Sequence, residues 1–430
     1  MKSKMRWSIC AMLFFATTIN YLDRQVFGLL KPLLEKQFDW SETEYSYLVI
    51  VFQGCYAAGL LSMGGIIDRV GTKVGYAVCM SIWTLASIAH AFVGSTVSFA
   101  VVRGVLGFGE SGNFPAAVKA VAEWFPKSER ALAVGILTAG TSIGAIVAPA
   151  TVPWLAATFG WQGAFIITAL TGAAWLVMWL LFYRQPQMHR AVSPDELAYI
   201  TQDDYTDETA GERTSWISLL GARQTWSFAI GKFLTDPIWY FMLFWLPSYF
   251  ADRFKLDLSH LGLPLMAVYL ATSVGSISGG WLSSMLIKRG WRVQAARQAA
   301  MFVMALLVVP LIFSSSVHDM WAIVGLLALA AAAHQGWSAN LFTTASDNFS
   351  KAEVASVTGI GGMAGSVGGM LFPIVIGLVL DHFKRLGAIE AGYSLLFIVC
   401  GCAYLTAWLV MQLLGASKPS SRAVMTPAVA

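Results

Sequence analysis

Charged side chains are scarce in this sequence. Asp, Glu, Lys and Arg make up 12% of its 430 residues, about half of the ~25% that is typical of soluble proteins. The chain is 57% hydrophobic, and its mean hydropathy is +0.64. This composition excludes a disordered chain and a soluble enzyme, and it predicts a protein whose main solvent is the lipid bilayer.

Motifs for several other chemistries are also missing. The five cysteines all lie in apolar runs, without the C-x-x-C spacing of a metal or redox site. The six histidines are scattered, so no metal cluster or nucleophile–base pair is predicted. The net charge of +4 forms no dense basic patch for nucleic acid, and no G-x-x-x-x-G-K-[ST] loop of an ATP-driven pump occurs. The sequence therefore predicts a protein that is not an enzyme, needs no cofactor and binds no nucleic acid.

Twelve apolar windows are each long enough to cross a bilayer, for which a helix needs about 20 residues. They lie at residues 8–33, 44–66, 74–94, 97–121, 131–156, 161–183, 226–250, 260–287, 298–316, 319–345, 354–381 and 391–414. The first window continues without a small-residue cleavage site, so it is interpreted as a span and not as a signal peptide. The predicted divisions are a six-helix bundle (1–184), a linker (185–225), a second bundle (226–414) and a tail (415–430).

Lysine and arginine are unevenly distributed between the two sides of such a membrane protein. Eighteen of the 28 lie on the side of the termini and the linker, six lie on the opposite side, and four lie within spans. Because basic residues favour cytoplasmic loops, both termini and the linker are predicted to lie in the cytoplasm.

The two halves of the chain repeat each other. Ten of forty positions are identical when residues 110–149 are aligned with residues 334–373, and they include three glycine pairs and a proline pair. Parallel six-helix repeats around a central cavity are typical of secondary transporters, in which one half moves against the other. The predicted fold is therefore all-α, with two six-helix pseudo-repeats.

A glycine-rich loop, GGIIDRVGTK, follows the second window. It resembles the signature loop of the major facilitator superfamily, whose glycines permit a tight turn and close helix contact. The resemblance implies ion pairs of Asp68 and Arg69 that hold a gate closed between the halves. Thr72 departs from the family because a basic residue is usual there, and Ser283 replaces the aspartate in the second half. The loop residues that this resemblance assigns to the gate are Gly64, Asp68, Arg69, Gly71 and Lys73.

Further motifs along nearly the whole chain resemble the anion:cation symporter family, whose members move organic anions with protons or sodium. These motifs are Asn20 to Arg24 (NYLDR), Arg103 to Glu110, Glu123 to Pro126 (EWFP), Glu129–Arg130, Asp236–Pro237 and Trp245 to Pro247. Residues 123–144 and the linker around 193–200 are most similar to bacterial hexuronate transporters. The resemblance implies a proton-coupled importer of a hexuronate, such as glucuronate or galacturonate, in a bacterial inner membrane. Galactonate, tartrate or phthalate as substrate, sodium coupling, and export of a non-anionic substrate stay open as alternatives.

Ionisable residues within spans are costly, so they are expected to face a wet cavity or one another. Lys119 lies near a helix end, and its simplest interpretation is that it extends to water. Lys232 and Asp236 are four residues apart on one helix face, so neutralisation of each other is as well supported as a role in transport. The seven residues of this kind are Asp23, Arg24, Arg103, Glu110, Lys119, Lys232 and Asp236.

Four of these residues form the predicted transport centre. Arg103 and Glu110 are seven residues apart on one helix face, which suggests a crosswise arrangement of Asp23 with Arg103 and Arg24 with Glu110. Arg24 is predicted to bind the substrate carboxylate, because its planar guanidinium donates two hydrogen bonds in a fork. The resemblance implies that Glu110 is the main proton-coupling residue, with Asp23 as a second protonatable group.

Hydroxyl groups of the substrate need neutral donors and acceptors as well. His334 occupies the position of Glu110 in the repeat. The expected partners are one small organic anion, a co-transported proton and the lipid bilayer, and the chain is expected to be monomeric. The residues predicted to contact the substrate besides Arg24 are Asn20, Tyr21, Gln53, Tyr56, Thr141, Trp239, Tyr240, His334, Gln335 and Asn340.

Overall fold

The computed structural model describes residues 5–40, 42–203, 216–254 and 262–415. Within these ranges the secondary structure consists of helices joined by short turns, without a β-strand. The predicted tail beyond residue 415, and the part of the predicted linker from 204 to 215, lie outside the described residues.

Seven helices build the first half. Helix α7 contains two spans in succession, because Gly160 adopts a φ of 74° and breaks the helical path there. A positive φ is readily adopted by glycine, since no Cβ clashes with the backbone. The helices are α1 (Met5–Leu29), α2 (Lys31–Phe38), α3 (Glu42–Val70), α4 (Thr72–Ala89), α5 (Thr96–Glu110), α6 (Asn113–Trp124) and α7 (Lys127–Phe182).

Two short helices lie in the linker, and six long helices build the second half. The linker helices are α8 (Pro194–Ile200) and α9 (Trp216–Gly221). Those of the second half are α10 (Arg223–Phe254), α11 (Gly262–Lys288), α12 (Val293–Val308), α13 (Met320–Asn348), α14 (Val354–Arg385) and α15 (Ile389–Gly415).

Eight helices in the described residues are long and apolar enough to cross a membrane, and α7 accounts for two spans among them. The spans outside this set are α1, the α5–α6 pair and α10. The predicted twelve-helix architecture is confirmed, and the predicted buried charges lie in these three spans.

The two halves pack against each other through helices α3 with α14 and α7 with α11. The contacts lie on the linker side, which we define as the membrane side where α1 begins and residues 183–203 run. Here Gly64 faces the backbone of Ala355, and a Cβ at residue 64 would lie 3.0 Å from the Cα of Ser356. Glycine therefore permits direct backbone contact between the halves.

Candidate functional site

A cavity lies between the two halves. Helices of both halves contribute polar and aromatic side chains to its wall. The lining residues are Tyr21, Arg24, Tyr56, Leu60, Phe114, Thr138, Thr141, Lys232, Asp236, Trp239, Tyr240, His334, Gln335, Ser338, Phe342, Thr358, Gly362 and Ser366.

Arg24 and Glu110 form an ion pair between α1 and α5. The Nε and Nη2 atoms of Arg24 donate to the same carboxylate oxygen of Glu110, at 3.1 and 2.9 Å. The Glu110 side chain is fully buried, and its other oxygen has no hydrogen-bond partner among the described residues. The Arg24 side chain is 19% exposed and lines the cavity. The predicted pairing is therefore present, with the cation on the cavity side and the acid behind it.

Aromatic rings hold the guanidinium of Arg24 in place. Its Cζ lies 4.7 Å from the ring centroid of Tyr56, 5.1 Å from that of Tyr21 and 5.3 Å from that of Phe52. Cations are attracted to aromatic faces, so these rings fix the plane of the group. No hydrogen bond among the described residues uses Nη1 of Arg24, which leaves this atom for a ligand.

Asp23 does not form the predicted pair with Arg103. Its Oδ2 accepts a hydrogen bond of 2.7 Å from the Trp83 indole N–H on α4. Its Oδ1 is buried and has no hydrogen bond within the part of the chain that the structure describes. Adjacent helical residues are rotated by about 100°. The rotation that turns Arg24 toward Glu110 therefore turns Asp23 toward α4, and this half of the crosswise prediction was wrong.

Arg103 is buried beside two phenylalanine rings. Its Cζ lies 4.2 Å from the centroid of Phe27 and 4.4 Å from that of Phe52. Since Phe52 also contacts Arg24, one ring adjoins both guanidinium groups. Sequence reasoning missed Phe27 and Phe52. The only available signal was the position of Phe27 one helical turn after Arg24.

The second half contributes an ion pair and an aromatic stack to the cavity wall. Lys232 Nζ lies 2.7 Å from Asp236 Oδ2. The His334 ring stacks on Trp239 with centroids 5.5 Å apart, and its Nδ1 lies 2.6 Å from the Tyr404 hydroxyl. His334 is therefore held on two sides, and it lies at the cavity as predicted.

Three predicted substrate contacts are not at the cavity wall. Asn340 is fully buried, and its amide donates to the carbonyl oxygens of Gly279 (2.8 Å) and Gly336 (2.9 Å), so it connects α13 to α11. Asn20 is buried, with its amide nitrogen unbonded. Gln53 is half-buried on α3 and is not among the lining residues. The other eight predicted contacts line the cavity, although their roles stay predictions.

The cavity also has lining hydroxyl groups that sequence reasoning missed. Thr138 and Ser338 each lie three residues from a predicted lining residue, so helical spacing could have identified them. Thr358 and Ser366 come from α14, where the sequence is dominated by small residues. Their hydroxyl groups lie among small residues that are also typical of helix packing, so no signal in the sequence indicated a role at the cavity.

The predicted gate loop reaches the other half at the linker side. The Asp68 carboxylate accepts hydrogen bonds from the backbone N–H groups of Ser356 (2.7 Å) and Ala355 (3.4 Å) at the start of α14. A helix N-terminus attracts a carboxylate, because its first N–H groups are unpaired and its dipole is positive there. The partner of Asp68 across the interface is therefore a helix end, where an ion pair with a basic residue was predicted.

Lys119 and Arg69 also differ from their predictions. Lys119 is buried and donates to Asp68 Oδ1 at 2.7 Å, so it does not extend to water as its position suggested. Arg69 is exposed, and it takes part in none of the ion pairs of the described residues. Lys73 lies after Gly71, whose φ of 86° forms the turn between α3 and α4.

Thr72, the departure from the superfamily loop, has a specific partner. Its hydroxyl donates to Glu123 Oε1 at 2.7 Å, and the Tyr183 hydroxyl donates to Glu123 Oε2 at 2.5 Å. This buried carboxylate is thereby bonded by two hydroxyl groups in place of a cation.

Ion pairs connect the two halves beside α7. Arg130 lies 3.4 Å from Asp347, which also pairs with Arg297 at 3.0 Å. The Ser283 hydroxyl accepts from Arg297 at 2.9 Å. Although Ser283 replaces the aspartate of the first copy, Asp347 supplies a carboxylate at this end of the interface.

The linker is attached to the same region. Glu129 of α7 accepts from Arg6 (3.0 Å), from Lys288 of the second half (3.3 Å) and from the Tyr199 hydroxyl of α8 (3.0 Å). Glu196 of α8 accepts from Arg6 at 3.2 Å. The linker helix therefore packs against charges that join the halves on the linker side.

Two six-helix halves that enclose a charged cavity define a secondary transporter of the membrane. The chain belongs to the Major Facilitator Superfamily, because the model of that family matches residues 13–373. The prediction from the glycine-rich loop is confirmed. The fold and the relatives are those of transporters and not of enzymes.

Two relatives support the narrower resemblance. The chain is 31% identical to the hexuronate transporter of Escherichia coli (strain K12) over 414 residues, which cover 95% of this chain and 94% of that protein. It is 33% identical to the galacturonate transporter of Dickeya chrysanthemi over 291 residues, which cover 67% of this chain and 84% of that protein.

A solved structure of the proton:xylose symporter XylE, bound to 6-bromo-6-deoxy-D-glucose, has a TM-score of 0.76 to this chain. The match covers 96% of each chain at 14% sequence identity. At this identity the likeness shows the shared fold alone.

Proposed function

We propose that this chain imports a hexuronate, such as glucuronate or galacturonate, together with a proton. The observation that carries the proposal is the Arg24–Glu110 pair, in which the cation lines the cavity and the acid is fully buried behind it. The relatives that transport hexuronate and galacturonate support the choice of substrate.

The substrate carboxylate binds to Arg24 on the side of Nη1. Arg24 now shares its charge between two anions, and the fully buried Glu110 loses part of its interaction with Arg24. Protonation of Glu110 compensates, because burial disfavours an unpaired carboxylate. Substrate and proton therefore favour each other's binding, which is the linkage that a symporter needs.

The opposite wall of the cavity orients the sugar ring. Trp239 offers an apolar ring face for stacking, and its stack with His334 keeps it in place. Gln335 and Tyr240 lie at the cavity and supply polar groups for substrate hydroxyls. A single chain contains all of these residues, so it functions as a monomer in this proposal.

Transport proceeds by movement of residues 1–184 against residues 226–414, with residues 185–225 as the linker. The contacts of α3 with α14 and of α7 with α11 close the linker side, and their release opens the cavity to that side. The distribution of basic residues supports a cytoplasmic location for the linker and both termini, in a bacterial inner membrane.

The charge balance sets the driving force. One proton with one monoanion carries no net charge, so the pH gradient alone drives accumulation, at about tenfold per pH unit. Accumulation is therefore expected to follow the pH difference and to be insensitive to membrane potential.

The coupling role of Glu110 is tested with the variant Glu110→Gln. Glutamine still accepts a hydrogen bond from Arg24 but cannot take up a proton. We expect the purified variant in proteoliposomes to exchange labelled galacturonate for unlabelled galacturonate, while accumulation driven by a pH gradient falls to the level of empty vesicles.

Glu390→Gln is the matched control, because Glu390 is an exposed carboxylate at the start of α15. It should accumulate galacturonate like the unmodified protein. Full accumulation by Glu110→Gln would remove Glu110 from the coupling role. Exchange of lipophilic cations but not of galacturonate would overturn the proposed substrate class.

A further inference from the structure

The Lys232–Asp236 ion pair lies at the cavity but takes no part in the proposed binding of one carboxylate and one proton. Lys232 and Asp236 occupy adjacent turns of α10, with Nζ 2.7 Å from Oδ2 and with side chains 7% and 18% exposed. Both line the cavity, on the wall formed by the second half. The cavity therefore contains one paired cation from each half, Arg24 and Lys232.

The surroundings of the pair are shaped to hold it. Nζ of Lys232 lies 4.1 Å from the ring centroid of Phe342, close enough for a cation–π interaction. The Asp236 carboxylate packs against Gly365 of α14, where a Cβ would lie 2.9 Å from Cγ of Asp236. Any larger residue at position 365 would displace this carboxylate.

Helix stability alone is a weak reason for such a pair. Buried ion pairs lose much of their attraction to desolvation, and apolar residues of similar size are often equally stable in their place. The pair also faces the cavity, where a ligand can reach it. Its position and its surroundings point to recognition of a ligand.

We propose that Lys232 is the cation of a second anion subsite, which admits aldarates, sugar acids with a carboxylate at each end. The inference rests on the proposed function, because Arg24 holds one carboxylate of the same substrate. Lysine is a compact point charge that binds a carboxylate without the fork geometry of arginine. Asp236 neutralises Lys232 when the cavity is empty or holds a uronate. When Lys232 binds the second carboxylate of an aldarate, Asp236 takes up a proton, because burial disfavours an unpaired carboxylate.

The test compares uptake of labelled galacturonate and labelled galactarate by the purified full-length protein in proteoliposomes. We expect the unmodified protein to take up both. Lys232→Gln should lower the ratio of galactarate to galacturonate uptake by about tenfold or more, the loss expected for a charged hydrogen bond. Lys232→Arg should restore most of the ratio. A purely structural role of Lys232 would instead lower both uptakes equally in Lys232→Gln and leave the ratio unchanged.

Two further variants complete the design. The double variant Lys232→Met with Asp236→Leu leaves no unpaired buried charge, so it tests the subsite even when Lys232→Gln folds poorly, and it should also lower the ratio. Lys36→Gln removes one exposed lysine of α2 and should leave the ratio unchanged.

The outcomes separate this inference from the proposed function. Uptake of galacturonate without uptake of, or competition by, galactarate would overturn the second subsite alone. An equal fall of both uptakes in Lys232→Gln and in the double variant would also overturn it. Uptake of neither sugar acid by the unmodified protein would overturn the proposed function and this inference together.

Discussion

The guanidinium group of Arg24 pairs with Glu110 and, in the proposed function, also binds the substrate carboxylate. Two of its nitrogen atoms bind Glu110, three aromatic rings fix its plane, and the side chain lines the cavity. The group is therefore oriented before any substrate arrives, so little orientational freedom is lost on binding. This arrangement uses properties of arginine that lysine does not share, and it leads to a specific prediction.

Arg24→Lys should weaken galacturonate binding by about 10- to 100-fold, the effect of losing a fork of charged hydrogen bonds worth about 1.5–3 kcal/mol. Lysine keeps a positive charge near Glu110, so the variant should still fold. Isothermal titration of the purified protein measures the affinity. Arg69→Lys, at an exposed arginine, is the control and should bind normally. An unchanged affinity in Arg24→Lys would mean that the charge of Arg24, and not its geometry, holds the anion.

At the same scale, the sequence predicted the charged residues better than their partners. The Arg24–Glu110 pair follows from two opposite charges buried in separate helices. The Trp83–Asp23 bond could not be predicted, because the rotation of α1 about its axis depends on packing with α4 that no sequence spacing encodes. For Asn340 the sequence predicted a contact with the substrate. Its amide instead donates hydrogen bonds that join α13 to α11.

The C-terminal end of α3, which carries Asp68, contacts the N-terminal end of α14. This carboxylate accepts from the Ser356 N–H and from Lys119, so it connects a helix N-terminus and a buried cation of opposite halves. Charge at a helix end and charged hydrogen bonds both stabilise such a contact. The closed linker side therefore depends on the negative charge of Asp68.

Asp68→Asn should weaken this closure by about 1–2 kcal/mol, which shifts the population toward linker-side-open conformers by about 5- to 30-fold. Spin labels at Val70→Cys and Ala352→Cys, with the five native cysteines replaced, report the distance between α3 and α14 by double electron–electron resonance. We expect a longer distance to gain population.

Arg69→Gln is the matched control for the Asp68 variant, because Arg69 neighbours Asp68 but is exposed. It should leave the distance distribution unchanged. Identical distributions in Asp68→Asn and the unmodified protein would show that the gate is held by the other contacts on the linker side.

Element boundaries were largely predictable, and their exceptions have physical causes. Apolar length identified every span, because the bilayer imposes it. The short helix α2 was not predicted, since a turn and a short helix between two apolar runs look alike in sequence. The break in α7 was predicted, because Gly160 lies between the windows 131–156 and 161–183. The hydrogen-bond partners of Asp68 at the gate were not predicted either. They are backbone N–H groups, which almost every residue type has, so the sequence cannot single them out.

The whole molecule is two similar halves joined along one side of the membrane. The sequence repeat predicted this symmetry, and the structure adds that the closed interface uses α3 with α14 and α7 with α11. The Lys288–Glu129 and Arg130–Asp347 pairs reinforce it from either half. The repeat could not predict the Arg130–Asp347 pair, because the position of the second half that corresponds to Arg130 is Val354, which has no charge.

The rocking of the halves predicts that a covalent bond across the closed interface stops transport. The hydroxyl groups of Ser142 on α7 and Thr272 on α11 are in direct hydrogen-bond contact, so cysteines at these positions should form a disulfide on oxidation. In a background without the five native cysteines, oxidised Ser142→Cys/Thr272→Cys should lose galacturonate uptake to below about a tenth, because alternating access requires the halves to separate here. Reduction should restore uptake, and each single-cysteine variant should be insensitive to oxidant. Full uptake by completely cross-linked protein would instead place the moving interface elsewhere in the molecule, and the contacts of α7 with α11 would then belong to a rigid body.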